Sequence, residues 1–215
     1  MLDIESIKNI NPKDISMLFC DTEIMQDLLK KYNVYIEIET YPDFFSKFYN
    51  RNIIKLKPIE LLDSIKFPFP YFIKPIENNK TFDGTLIESE IVRNYIFTQI
   101  PDHNNLIYYC NKIKFVNEYR MFVDNYKISG IVDATEFLIN DKIKHSVPPP
   151  EDIINDILKE NKYPYCVIDI GIDSNNKWYL IEVNPPFSLM SYDFPIDKYI
   201  KFCTNAWNYY LDKIA

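Results

Sequence analysis

Glycine is scarce in this 215-residue chain: only Gly84, Gly130 and Gly171 occur. The phosphate loop G-x-x-x-x-G-K-[ST] is absent, which excludes a P-loop nucleotide binder. Arginine is equally rare, with Arg51, Arg93 and Arg120, and the formal net charge is −7. General nucleic-acid binding needs a concentrated basic surface, so nucleic acid is not an expected partner. A local basic pocket for phosphates stays compatible with this balance. Cys20, Cys110, Cys166 and Cys203 form no CxxC pair, and there are only two histidines. A zinc site or disulfide framework is therefore not expected, and reduced core cysteines fit better. No apolar run reaches bilayer length. The Met-Leu-Asp-Ile-Glu-Ser start has neither the basic residues nor the apolar stretch of a signal peptide. These absences lead to the expectation of a soluble, cytoplasmic protein without a membrane partner.

What is present is ample for a packed core: 47% of residues are hydrophobic and no low-complexity tract interrupts them. In the first 65 residues, Asp21 is placed to cap a helix through Lys31 with Ile24, Met25, Leu28 and Leu29 on its apolar stripe. Val34 to Thr40 alternates and predicts a strand. Pro42-Asp43 opens a short aromatic helix, and Ile53 to Leu56 reads as another strand. None of these carries evident chemistry.

Tyr71 to Ile73 is a strand with Lys74 at its end. The following loop carries Lys80 and Gly84, and two lysines around a mobile loop suit phosphate groups as point charges. A helix from Ser89-Glu90 to Gln99 is expected to bury Ile91, Tyr95 and Ile96. Leu106 to Tyr109 forms a strand, and Cys110 to Lys112 a hinge. Phe115 to Val123 then pairs with Tyr126 to Val132 around Asp124-Asn125, placing Glu118, Arg120 and Phe122 on one face. Such a charged pair faces either solvent or a polar cleft. His145 lies in a polar connection and is a candidate substrate contact. A helix over 151–161 with Ile153, Ile154 and Leu158 inward follows. The chain closes with a helix from Pro195 to Ile214 that buries Ile200, Cys203, Trp207 and Leu211.

Tyr165 to Asn184 predicts a hairpin. With Asn175 and Asn176 as a two-residue loop, Ile168 faces Val183, Ile170 faces Ile181 and Ile172 faces Tyr179. The other face sets Asp169 opposite Glu182, with Asn184 beside it. Opposed carboxylates repel unless a cation lies between them, and this hard oxygen set suits Mg²⁺. The alternative is a surface hairpin with an acidic solvent face.

In this order, Phe72-Ile-Lys-Pro75, Lys80-x-Phe82-x-Gly84, Glu118-Tyr-Arg120-x-Phe122-Val123 and Asp169-Ile-Gly171 with Ile181-Glu-Val-Asn184 resemble the ATP-grasp superfamily. The likeness is to its compact clade of bacteria, phages and large DNA viruses, and spans about residues 66 to 195. It implies an α+β fold of two lobes with antiparallel sheets and ATP held between them. The lobes would run over about 66–108 and 109–215, preceded by a segment over 1–65. It further implies Lys74 at the α-phosphate side, Lys80 in the loop closing over the phosphates, and adenine against the backbone of Tyr109, Cys110 and Asn111. Arg120 would reach the γ-phosphate or acyl phosphate, with Glu118 as a ribose or arginine partner. Asp169, Glu182 and Asn184 would bind Mg²⁺.

Two departures stand out. The phosphate loop is poorer in glycine than the family's usual loop. A second arginine after the meander is replaced by Asp133-Ala-Thr-Glu136, leaving its role to Lys142 or Lys144. The activity implied is an ATP- and Mg²⁺-dependent carboxylate–amine ligase working through an acyl phosphate on an amino acid, peptide or protein terminus. His145, Ser188 and Tyr192 are the candidate substrate contacts. The alternatives are a catalytically silent nucleotide-binding module serving a partner protein, or a small-molecule kinase. A homodimer stays open.

Overall fold

The computed structural model describes residues 10–15, 22–76, 82–135, 147–187 and 189–214. The chain divides into two compact units, one of Met1–Phe48 with Phe115–Ala215 and one of Tyr49–Lys114. The first 48 residues thus belong with the C-terminal half, whereas the sequence suggests a separate segment through residue 65.

The unit of Tyr49–Lys114 holds a four-stranded antiparallel sheet. Its strands are β1 (Ile53–Leu56), β2 (Tyr71–Pro75), β3 (Thr85–Ile87) and β4 (Ile107–Asn111), in the order β1-β4-β2-β3. Tyr71, Ile73 and Ile87 point from this sheet into a core with Leu61, Phe67 and Tyr109, as strand alternation requires. A helix over Glu90–Gln99 covers that core, capped by the Ser89 side chain accepting from the Val92 N–H. Its phase differs from the sequence expectation. Ile91 and Tyr95 are 81% and 65% exposed, while Arg93 is 4% exposed and donates to the Leu61 carbonyl at 3.1 Å and to Glu90 at 2.7 Å. Val92, Ile96 and Phe97 make the apolar contacts. The strand β4 runs on to Asn111 and is flanked on both sides, so Tyr109 and Cys110 are ladder residues rather than a hinge.

The larger unit is built on β5 (Phe115–Asp124), β6 (Lys127–Asp133), β7 (Tyr165–Asp173) and β8 (Trp178–Asn184), antiparallel in the order β6-β5-β7-β8. Asn125 and Tyr126 both take positive φ, so the β5–β6 turn lies one residue later than expected. Around the sheet are α1 (Thr22–Lys30), α2 (Ser46–Tyr49), α3 as the Glu90–Gln99 helix of the other unit, α4 (Glu151–Glu160) and α5 (Ile196–Leu211). Met25, Leu28 and Leu29 of α1 are buried as their spacing predicts. The expected cap of this helix, Asp21, lies outside the described residues. Residues 34–40 alternate strictly between buried and exposed, yet they join neither sheet. The pattern is that of a strand without a place in either ladder; the Val183 N–H reaches the Thr40 carbonyl at 2.9 Å.

Helix α5 buries Tyr199, Phe202, Cys203, Ala206, Trp207 and Tyr210, while Ile200 is 44% exposed. Phe194, just before it, stacks on Phe122 of β5 with centroids 4.4 Å apart. This ring lies over Gly130, where an added Cβ would come within 2.2 Å of Phe194 Cε2. The glycine is needed for close approach, not for an unusual φ. Gly130→Ala is expected to destabilise the protein by about 1–3 kcal/mol through overpacking. Denaturant unfolding checks this, and an unchanged midpoint would mean that Phe194 is not seated on the sheet.

Candidate functional site

The hairpin of β7 and β8 sets Asp169 opposite Glu182, the pairing the sequence predicts. It reaches that pairing by another route. The loop is Ser174 to Asn176, closed by Asp173 N–H to the Lys177 carbonyl at 3.0 Å, with Asn176 at φ 60°. Ile170 therefore faces Leu180 and Ile172 faces Trp178, and the expected pairs with Ile181 and Tyr179 do not form. A bulge between Asp169 and Ile170 absorbs Ile181 and returns the register for Asp169, Ile168 and Val167. The inserted side chain lies against Gly171, where a Cβ would meet Ile181 Cδ1 at 2.9 Å and Phe115 at 2.8 Å.

Across β7 on its other side, Asp169 is opposite Arg120. Adjacent cross-strand positions share a face, so β5, β7 and β8 carry Arg120, Asp169 and Glu182 in one row. Arg120 donates from Nε to Asp169 Oδ1 and from Nη2 to Oδ2, each at 2.8 Å. Nη1 donates to the Met190 carbonyl at 3.0 Å, and the Tyr192 ring lies 4.7 Å from the guanidinium. Tyr192 holds φ 49°, uncommon for a bulky residue, as the chain turns to place the ring there. Asn184 Nδ2 donates to Asp169 Oδ2 at 3.2 Å and to Glu182 Oε1 at 3.0 Å. The cation expected between opposed carboxylates is thus met in part by the chain itself, as a guanidinium beside Asp169 and an amide N–H₂ bridging both acids.

The side chains of Arg120 and Asp169 are each 7% exposed. Burial alone would favour neutral arginine, but the hydrogen bonds and charge of Asp169 outweigh it and hold Arg120 protonated. Burial raises the Tyr192 phenol, which Arg120 opposes while Asp169, Glu118 and Glu182 add to the rise. Glu118 stands opposite Gly171 on the same face as Arg120. One arginine among three acids leaves a net negative face, favourable to a cation. Among the described residues no three His, Cys, Asp or Glu side chains are placed to hold a metal. Asp169, Glu182 and the Asn184 amide are nonetheless all-oxygen donors of the kind Mg²⁺ takes, so the donor set fits that ion.

In the other unit, Lys74 and Lys55 both lie opposite Tyr108, on β2 and β1, and so share one face of their sheet. Lys55 Nζ sits 5.6 Å from the Tyr108 ring. Lys55 escapes the sequence reading, although the in–out alternation of Ile53 to Leu56 would have exposed it. Lys80, Lys142, Lys144, His145 and Ser188 lie outside the described residues. Asn111 ends β4, and the segment from it to Lys114 joins the two units.

A family model for an ATP-grasp domain, family 2 of its clade, matches residues 48–202. No curated protein matches the chain significantly. Among solved structures, a RimK domain ATP-grasp protein from Sphaerobacter thermophilus is similar at a TM-score of 0.55 and 11% identity, over 75% of this chain and 60% of that one. D-alanine–D-alanine ligase from Bacillus anthracis, complexed with ATP, matches at 0.51 and 15%, over 88% and 63%. The Helicobacter pylori D-alanine–D-alanine ligase matches at 0.50 and 19%, over 86% and 68%. The chain therefore spans about 60% of the length of the first two. At these identities the likeness concerns the fold.

The hairpin tip carries its own pH signature. Asp173 Oδ1 accepts from the Asn175 and Lys177 N–H groups, and Oδ2 from the Tyr179 hydroxyl at 3.0 Å. The Lys177 backbone bond is the main cause that lowers its pKa below the ordinary aspartate value. Its contribution to hairpin stability is therefore present above the ordinary range and fades as pH falls through the lowered value. An NMR titration should find Asp173 titrating below an ordinary aspartate, with the Asn175 and Lys177 amides shifting in step. Titration at the ordinary value would show that the turn is not held this way.

Proposed function

As this chain belongs to the ATP-grasp domain family, we propose that it is an ATP-dependent carboxylate–amine ligase. The observation that supports this most is the continuous row of Arg120, Asp169, Glu182 and Asn184 across three adjacent strands. Phosphoryl transfer to a carboxylate is chiefly a matter of positioning and charge neutralisation. In this reading Lys74 and the loop lysine Lys80 bind nucleotide phosphates, and Lys55 adds positive charge on the face of Lys74. Adenine binds along the segment from Asn111 to Lys114, since the ladders already engage Tyr109 and Cys110. Arg120 contacts the γ-phosphate, and Glu118 serves as its neighbour or as a ribose partner.

Glu182 and Asn184 Oδ1 offer the Mg²⁺ ligands, with Asp169 beside them. When bound, the ion neutralises charge on the β- and γ-phosphates. A substrate carboxylate oxygen bonds to the γ-phosphorus while the bridging oxygen leaves with ADP. An amine nitrogen then bonds to the acyl carbon, inorganic phosphate departs, and the amine proton passes to solvent. Tyr192, His145 and Ser188 are the proposed acceptor-side contacts, and the carboxylate comes from an amino acid, a peptide or a protein terminus.

A second reading, a catalytically silent nucleotide-binding module, draws on the mutual saturation of Arg120 and Asp169. It predicts Mg-ATP binding without turnover. Purified protein incubated with Mg-ATP, carboxylates and amines is expected to release ADP and to yield a hydroxamate with hydroxylamine. Lys74→Ala and Glu182→Ala should each lower turnover by about 100-fold or more. Full turnover in both variants would sink the ligase mechanism, and binding without ADP release would favour the silent module.

A further inference from the structure

We propose that Asp169 is the positioning residue of Arg120 and leaves the metal to Glu182 and Asn184. The inference rests on the Mg-nucleotide reading above and assigns its residues differently from the expected three-ligand set. A guanidinium has five N–H donors. Asp169 takes one on Nε and one on Nη2, and the Met190 carbonyl takes one on Nη1. One donor remains on each Nη, and the Tyr192 ring occupies one face of the plane. A phosphoryl group therefore meets Arg120 at its edge, where two donors match two phosphate oxygens. The direction of that edge is set by Asp169, because the two 2.8 Å bonds fix both the position and the plane of the fork.

The same bonds argue against Asp169 as a metal ligand. Its two oxygens already accept three hydrogen bonds, two from Arg120 and one from Asn184. Drawing Asp169 away would leave Arg120 a buried charge without its counter-ion, which is strongly unfavourable. Glu182 and Asn184 are less deeply buried than Asp169. Asn184 has its N–H₂ committed to the two carboxylates, so its Oδ1 is directed away from them. The carboxylates thereby orient the amide oxygen as a ligand, a supporting role commonly played by groups behind a metal.

The test uses Asp169→Asn, Glu182→Gln and the neutral double variant Asp169→Asn/Arg120→Gln, which avoids stranding a charge if the single variant fails to fold. Three measurements are made: Mn²⁺ binding by electron paramagnetic resonance with ADP present, ADP and ATP affinities by calorimetry, and the Arg120 Nε–H resonance. With only three arginines in the chain, that resonance is assignable by single Arg→Lys substitution. In apo protein it should be sharp and protected from exchange, and it should broaden or shift in Asp169→Asn without any metal or nucleotide. Asp169→Asn and the double variant should keep Mn²⁺ affinity within about threefold while losing about tenfold or more of the ATP-over-ADP preference. Glu182→Gln should lose about tenfold or more in Mn²⁺ affinity. If both Asp169 variants lose Mn²⁺ as Glu182→Gln does, Asp169 is a ligand and the proposal is overturned while the nucleotide reading stands. If the wild type binds neither Mn²⁺ nor nucleotide, the reading beneath it falls, and the proposal with it.

Discussion

A buried charge has to be paired, and in the larger unit that requirement falls on Arg120 and Asp169. Breaking such a pair by removing one partner costs about 3–5 kcal/mol, because the remaining charge stays buried. The pair also marks a boundary within a single face of the sheet. Two residues further along β5, Phe122 is fully buried in a cluster with Val167, Phe194 and Phe202. In the other direction the face turns acidic, with Glu118 and, across the sheet, Glu182. The strand thus passes from hydrophobic core to charged site over a few residues, and the Arg120–Asp169 pair joins the two environments. Met190 and Tyr192 complete the enclosure from a loop that α5 holds at its base through the Tyr199 hydroxyl on the Leu189 carbonyl at 2.6 Å.

Much of this arrangement could be read from the residues themselves. Strand positions around Lys74, Arg120, Asp169 and Glu182 follow from local alternation, which needs no knowledge of neighbours. The Asp169–Glu182 pairing was also legible, though for an incomplete reason. A three-residue loop and a one-residue bulge offset each other, so the assumed tight turn still led to the right pair at the base of the hairpin and to wrong pairs nearer its tip. What local pattern cannot supply is the choice of partner. It showed that Asp169 needs a cation but not that Arg120, 49 residues earlier, would supply it. It showed the alternation of residues 34–40 but not that they would stay outside both sheets.

Helix α3 illustrates the same limit differently. Hydrophobicity alone turned Ile91 and Tyr95 inward. The structure instead rotates the helix so that Arg93 is buried, because its guanidinium can satisfy the Leu61 carbonyl and Glu90 together and lie 5.8 Å from the Phe69 ring. A long side chain that buries its stem and finds partners for its head competes with isoleucine for an interior position. Two of the chain's three arginines are used in this way. Arg93 anchors a helix, and Arg120 anchors a row of acids.

The bulge at Ile181 bears on how the protein meets other chains. Strand β8, which carries Glu182 and Asn184, is the outer strand of its sheet. An outer strand with evenly spaced backbone donors and acceptors is a template for a foreign strand, and hence a route to aggregation. The extra residue breaks that spacing and adds twist, and the Thr40 carbonyl takes up the Val183 N–H beyond it. The insertion that adds an apolar side chain next to the acids also makes the most exposed part of the site a poor nucleus for unintended β-pairing.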